Sequence, residues 1–284
     1  MNIVFAANID GTFGQYHLIL LGISIVLIIG LSILVAKTPV KFSTIVNIML
    51  VLWVLSEATK MLSNMSYLIE GADGKYRTIK IIQYIGEKVK EGDIIKTAFY
   101  PRGQLPFHLC SIQPIFILLV KFTKNKKLKD TLLKFIFPTA TLGAFIALVV
   151  CTIKVNFANP QLYEYFLFHI SLTVFAISIV TKKQIEITWK SHLKTLGLIF
   201  LMFVASIWIN SLLSDTGSLD PNAYTNFFYS LKEPTKGLPI LNLNNGWFAY
   251  FFSIVLIGLT AISLLQLPFI INSALKAKKQ KQLS

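Results

Sequence analysis

Long apolar runs recur along this chain, and each is long enough to cross a lipid bilayer as a helix. A membrane helix needs about 20 mostly apolar residues. Charged residues make up only 14% of the chain, whereas they make up about a quarter of a typical soluble domain. We therefore predict an all-α membrane protein, a bundle of seven transmembrane helices that forms a single polytopic domain over residues 1–284. The predicted helices cover about 17–36, 43–64, 105–123, 131–153, 162–181, 193–213 and 247–271.

The lysines of the connecting segments predict the orientation of this bundle. The loops at 37–42, 121–134 and 181–194 and the C-terminal tail carry sixteen lysines and two acidic residues. The opposite set of segments has ten basic and ten acidic residues. Basic loops stay in the cytoplasm, so we expect the N-terminus outside the cell and the C-terminus in the cytoplasm. This topology and anionic inner-leaflet lipid account for the net charge of +14, so nucleic acid is not an expected partner.

Two long connections, 65–104 and 214–246, are predicted to lie on the outer side. The first contains apolar residues at helical spacing, which favour a short surface helix that lies on the outer leaflet as a lid or packs on the bundle as an ordinary loop helix. The second is rich in Asn, Pro and Gly and predicts an irregular segment ordered by turns. The residues of the predicted surface-helix stripe are Ile79, Ile82, Tyr84, Ile85 and Val89.

Polar side chains within the predicted helices cluster at one depth. With about 1.5 Å of rise per residue, they all lie within a few turns of the outer ends, near the depth of phospholipid ester groups. Polar groups inside a membrane are costly and often mark a functional site. The sequence therefore predicts a pocket for a lipid head group and its ester bonds. The clustered residues are His17, Glu57, Lys60, His108, Cys110, His169 and Asn210.

Cys110 is the candidate nucleophile of this pocket. It lies near the N-terminus of the third predicted helix, where a thiol tends toward the thiolate. His108 is only two residues away and points to the opposite face of a regular helix, so His169 on another helix is the better base. A cysteine with a spatially close histidine is the usual layout for nucleophilic acyl transfer. The alternative is a membrane helix kinked at Pro114 with an inert cysteine. No polar partner accompanies Cys151 in its segment, so Cys151 is interpreted as structural.

The remaining polar residues have an ordinary interpretation beside the functional one. Glu57 and Lys60 are three residues apart and form either a self-contained ion pair or part of the pocket. His17 and Asn210 either lie at the interface or line the pocket. No metal-ligand spacing links the histidines to Glu57, and we expect neither a metal nor another cofactor.

Several motifs carry a resemblance to a known family. The stretches LPFHLCSI, EYFLFHIS, IWINSLL, AYTNFFYSLKEP and NNGWFAYF resemble the YwaF-like bacterial integral membrane family, which is related to the animal transmembrane protein 164 proteins. The resemblance implies a seven-helix core. It also implies acyl transfer onto lysophospholipids by a cysteine and histidine pair, which falls on Cys110 and His169.

The sequence and the resemblance together predict a multi-pass plasma-membrane acyltransferase. Cys110 takes an acyl chain from an outer-leaflet phospholipid and passes it to a lysophospholipid or a lipoprotein amino terminus. We expect Asn210 and Asn226 to steady the oxyanion, and His17, Glu57, Lys60 and His108 to orient the substrate. The competing hypothesis is a non-enzymatic seven-helix protein that binds or transports a lipid or solute. Transporters usually show internal repeats and midplane sites, and the sequence has neither.

Overall fold

The computed structural model of the protein describes residues 13–81, 92–153, 155, 157–214, 224–233 and 241–283. These residues contain seven α-helices and a three-stranded sheet. The helices are α1 (Gln15–Lys37), α2 (Phe42–Asn64), α3 (Leu109–Phe122), α4 (Lys126–Val149), α5 (Pro160–Thr181), α6 (Trp189–Leu213) and α7 (Trp247–Leu283). The strands β1 (Ser66–Glu70), β2 (Tyr76–Lys80) and β3 (Ile94–Phe99) all lie between α2 and α3.

Six of the described helices are long and apolar enough to cross a membrane, and α3 is the exception. Helix α3 has 14 residues, or about 21 Å at 1.5 Å per residue, against a hydrocarbon core of about 30 Å. The sequence predicted a longer third helix, over 105–123. The helix is shorter because residues 105–108 form a turn and the helix begins only at Leu109. The predicted all-α membrane class therefore fits the structure, with six helices of spanning length.

Side-chain hydrogen bonds tie the helices together at both ends of the bundle. At the end that carries the lysine-rich loops, here called the basic end, Lys182 donates to the Thr38 carbonyl at 2.6 Å. At the opposite end, here called the sheet end, Arg102 follows the sheet and donates to the Leu213 carbonyl at 3.1 Å. The N-terminus of α1, the C-terminus of α2 and the start of α3 all lie at the sheet end.

Helix α5 is the most deeply buried of the six spanning helices. It is apolar around most of its circumference, as expected of a helix surrounded by other helices. One face packs Ile170 and Val174 against Ile28 of α1. Another face packs Leu172 and Phe175 into the main core formed with α2, α3 and α4. The elements around α5 therefore hold its polar residues at fixed positions.

The sheet replaces the predicted surface helix in the described part of that connection. Strand β1 pairs with β2 and β3, antiparallel to both. Ile79 is a buried residue of β2 paired with Tyr67, so its assignment to a helix was wrong. The other four predicted stripe residues, Ile82, Tyr84, Ile85 and Val89, lie outside the described residues.

A glycine-containing turn explains why this segment forms strands. Residues 71–74 read GADG, and Gly74 has a φ of +72°, which glycine adopts without a steric penalty. The backbone closes the turn through Gly71 N–H to the Lys75 carbonyl at 2.8 Å. A DG pair between runs of β-branched and aromatic residues is a hairpin signal, and the helical periodicity of the later residues obscured it.

Candidate active site

A cavity of about 480 Å³ opens between α2, α3, α4, α5, α6 and α7. Its volume falls within the usual range for small-molecule sites, roughly 300–1,000 Å³. Most of its polar lining comes from α2, α3 and α5, whereas the residues of α6 and α7 that line it are apolar. The polar lining includes Ser56, Glu57, Lys60, Gln104, His108, Cys110, Ser111, Gln161, Glu164 and His169.

Cys110 is the second residue of α3 and lies inside the bundle, some way in from its sheet end. The Leu109 side chain packs within 3.3 Å of the point where a Cβ on Gly143 would lie, so the glycine lets the start of α3 approach α4. Gly143 is six residues before the end of α4 at Val149, about 9 Å along the helix. The turn before α3 thus enters the bundle, which a membrane protein tolerates where the backbone lines a cavity.

The first turn of α3 presents its backbone N–H groups beside this thiol. His108 is the N-cap residue, and its side chain makes no capping hydrogen bond. Its ring packs instead against Phe227 and Tyr229, with centroid distances of 5.1 and 5.5 Å. The thiol lies 3.9 Å from the Ser111 hydroxyl. The first N–H groups of a helix carry partial positive charge and lack partners within the helix, so they can bind a developing anion near Cys110.

His169 lines the same cavity, and its two ring nitrogens differ in their hydrogen bonding. Its Nδ1 lies 2.6 Å from the Tyr165 carbonyl oxygen. A carbonyl can only accept, so Nδ1 carries the proton in the neutral ring and Nε2 carries the lone pair. This Nε2 is buried and has no hydrogen-bond partner among the described residues. A buried nitrogen base without a donor is costly to leave unpaired, and a substrate in the cavity can supply the missing proton donor.

Two further polar pairs line the cavity from α2 and α5. Lys60 Nζ lies 2.7 Å from Glu57 Oε1, as the predicted ion pair requires. The Ser56 hydroxyl donates to Glu164 Oε1 at 2.5 Å. Sequence reasoning missed Glu164, although a carboxylate inside the fifth apolar segment was a signal of the same kind as Glu57. Glu57 and Lys60 therefore form an ion pair and line the cavity at the same time.

A strained 3₁₀ turn at Phe227–Tyr229 closes one side of the cavity. Phe228 and Tyr229 have φ angles of 59° and 52°, which are rare for bulky residues. Both side chains line the cavity. Burial raises the pKa of the Tyr229 hydroxyl to about 12, so the hydroxyl stays protonated at physiological pH.

Three predicted site residues lie outside the lining of this cavity. Asn210 is fully buried and holds the 3₁₀ turn, with Nδ2 donating to Phe227 O at 3.1 Å and Oδ1 accepting from Phe227 N at 2.8 Å. Asn226 accepts from the backbone of Leu231 and Lys232. The amide groups of both asparagines are thus engaged with the loop backbone, which corrects their expected position at an oxyanion.

His17 is the third residue outside the cavity. Its Nδ1 accepts from the Phe13 N–H at 2.9 Å, and its Nε2 lies 2.9 Å from the Leu148 carbonyl. Both ring nitrogens therefore join the start of α1 to the end of α4. The depth estimate placed His17 correctly near the sheet end, but the side chain faces a helix contact that the sequence did not reveal.

The described site contains a thiol, a base and charged groups in one cavity. Among the described residues, no group of three or more His, Cys, Asp or Glu side chains is arranged to hold a metal ion. A thiol and an imidazole in a largely apolar cavity can carry out nucleophilic acyl chemistry on an ester.

Comparison with known proteins agrees with the resemblance found in the sequence motifs. The model of the TMEM164 family matches residues 12–266, which covers all the residues of the cavity. The predicted resemblance to a transmembrane protein 164-related family is thereby confirmed. No curated protein matches the chain, and no solved structure does.

Proposed function

The chain belongs to the TMEM164 family, and from this premise we propose that it is a membrane acyltransferase with Cys110 as nucleophile and His169 as base. The single observation that carries the proposal is that Nε2 of His169, in the cavity that Cys110 also lines, has no hydrogen-bond partner among the described residues. Tyr165 supports the assignment, because its carbonyl fixes the tautomer that leaves Nε2 basic. An orienting acceptor on the opposite nitrogen is the usual third member of such a site.

The first half-reaction transfers an acyl chain to the enzyme. Nε2 of His169 takes the thiol proton, and the sulfur of Cys110 attacks the carbonyl carbon of a phospholipid ester. A carbon–sulfur bond forms and the ester carbon–oxygen bond breaks. His169 returns its proton to the departing oxygen, so the products are a thioester on Cys110 and a lysophospholipid.

The second half-reaction restores the thiol. A hydroxyl or amine of the acceptor gives its proton to His169 and attacks the thioester carbonyl. The carbon–sulfur bond breaks, and the proton passes to the sulfur of Cys110. A lysophospholipid hydroxyl and a lipoprotein amino terminus both supply the required nucleophile, and both are proposed acceptors.

Backbone donors at the start of α3 take the oxyanion role first expected of Asn210 and Asn226. The tetrahedral oxygen is bonded to the carbon that the sulfur attacks, two bonds from the sulfur, and Cys110 lies in the first turn of α3. N–H groups at a helix N-terminus favour negative charge. A single oxyanion donor is typically worth about 3–4 kcal/mol of transition-state stabilisation.

The charged groups of α2 and α5 lie where a phospholipid head group would enter. Lys60 supplies an ammonium for a phosphate, and Glu57 and Glu164 supply carboxylates for a cationic head group or an acceptor amine. All three residues line the cavity. His108 lies beside Cys110 and contributes an aromatic wall that positions the ester rather than a proton acceptor.

The lysine distribution supports a site that faces the outer leaflet. The basic end carries the loops that the positive-inside rule assigns to the cytoplasm, and Cys110 lies toward the opposite end. We therefore assign the donor to an outer-leaflet phospholipid of the plasma membrane and exclude acyl-CoA as a requirement.

Purified protein in liposomes tests this function directly. The liposomes contain phospholipid with an alkyne-tagged acyl chain and no acyl-CoA. We expect a hydroxylamine-sensitive label on Cys110, release of lysophospholipid, and loss of the label when an acceptor is added. Cys110→Ala should abolish labelling, whereas Cys151→Ala is the matched control and should retain it.

His169→Gln should slow labelling by about 10²–10⁴-fold, the usual contribution of a general base. Because the two residues act as one unit, the double variant should be no slower than Cys110→Ala. Full labelling of Cys110→Ala, or strict dependence on acyl-CoA, would overturn the proposal. A binding or transport protein would show no covalent label at all.

A further inference from the structure

We propose that the apolar part of the cavity is a binding site for the fatty acyl chain and that the chain enters it sideways from the bilayer. This inference rests on the proposed function and adds the substrate's tail to it. The site, here called the apolar limb, is built by α6 and α7. Its residues are Ile199, Phe203, Ile254, Gly258, Ala261 and Ile262.

The apolar limb is continuous with the reacting groups. Gly143 of α4 contacts the first residue of α3, directly before Cys110, and lines the cavity. The neighbouring Leu142 also lines it and packs against the cluster that contains Ile199 and Phe203 of the limb. The described limb residues are all uncharged and apolar. A chain of methylene groups attached to a carbonyl at Cys110 would exchange the hydrocarbon of the bilayer for this apolar space, so it would remain in apolar surroundings throughout.

The limb also lies deeper in the bundle than the thiol. Cys110 is level with Gly143, about 9 Å from the sheet end of α4. Gly258 and Ala261 follow Trp247, the first residue of α7, by eleven and fourteen residues, or about 16 and 21 Å along the helix. A phospholipid in a bilayer has the same order, with the ester near the boundary and the tail toward the middle.

Two isoleucines mark a sideways opening of this cavity. Ile146 of α4 and Ile257 of α7 both line the cavity, yet they are 47% and 42% exposed. A side chain that lines a cavity and also faces outward lies at its rim. The rim is between two helices of spanning length, so a lipid tail can enter without leaving the hydrocarbon region.

Gly258 determines how much chain the limb can hold. A Cβ at Gly258 would lie 3.7 Å from the Phe203 ring, which is ordinary contact. Alanine therefore fits, whereas the longer side chain of leucine would occupy the limb. Gly197 on α6 offers a matched control, because a Cβ there has no described heavy atom within 4 Å and the residue is exposed.

A chain-length series of phospholipids tests the limb through the rate of thioester formation on Cys110. Gly258→Leu should lose about tenfold or more in rate with long acyl chains relative to short ones, since the leucine side chain and the end of a long chain would compete for one packed space. Gly197→Leu should keep the wild-type profile. An unchanged profile in Gly258→Leu, with labelling of Cys110 intact, would overturn the limb while the proposed function stood.

Photocrosslinking tests the same site without a variant in the limb. A phospholipid with a diazirine near the end of its acyl chain, incubated with Cys110→Ala protein in liposomes, should crosslink to α6 and α7 at the limb residues. Crosslinks confined to the exposed lipid-facing surface would overturn the inference. Limb crosslinks in a protein whose wild type never forms a thioester would support the limb and overturn the proposed function.

Discussion

Replacement of Asn210 by alanine separates a structural role from a catalytic one. The Asn210 side chain makes three buried hydrogen bonds to the 3₁₀ turn: two to Phe227 at 3.1 and 2.8 Å and one to the Ser230 hydroxyl at 3.0 Å. At about 1 kcal/mol net for each bond, their loss should lower the free energy of unfolding by about 3 kcal/mol. The turn also holds Phe228 and Tyr229 at positive φ, so its release should distort the cavity wall.

Denaturant unfolding of the purified protein in detergent micelles measures this loss. Asn226→Ala is the control, because Asn226 makes its hydrogen bonds to Leu231 and Lys232 near the surface, where water replaces them. We expect the control to lose less than half as much stability as Asn210→Ala. If Asn210→Ala instead unfolded like wild type but formed no thioester, the structural reasoning would be refuted and the oxyanion role restored.

Two further predictions address orientation and pH. A cysteine at Lys75, exposed beside the β1–β2 turn, should react with an impermeant maleimide on intact cells, whereas a cysteine at Lys127 should not; the reverse pattern would invert the topology. Burial raises the pKa of Tyr229 from 10.0 to about 12, so the folded protein keeps a proton that the unfolded chain releases. This contribution to stability is present below pH 10 and lost between pH 10 and 12. Tyr229→Phe should reduce that loss of stability in thermal unfolding scans. An identical alkaline decline in stability in both proteins would contradict the assignment.

The local character of membrane helices explains why the sequence predicted most of the fold. Six predicted segments became helices of spanning length, because an apolar run of sufficient length specifies a helix in lipid whatever surrounds it. Strand β3 escaped prediction for the opposite reason. Its pairing with β1 depends on contacts such as Ile69 with Ile95, which lie far apart in the chain.

The depth of polar residues predicted part of the candidate site. One cavity is lined by Cys110, His169, His108, Glu57 and Lys60. Polar side chains at one level of a membrane bundle turn toward its interior, because the surrounding lipid offers them no partners. Depth does not specify which way a side chain turns about its helix. The excluded residues, His17, Asn210 and Asn226, bind backbone groups of neighbouring elements instead.

The sequence by itself determined the class of protein, the positions of its helices along the chain, its family and the two residues proposed to carry the reaction. These follow from local hydrophobicity and short motifs, which need no knowledge of the neighbours. Only the tertiary structure placed Glu164 beside Ser56 and buried the Nε2 of His169 with no partner in the described part of the chain. The tertiary structure also made one cavity polar near Cys110 and apolar along the limb. A cavity is the space between helices, so no single segment of the sequence encodes it.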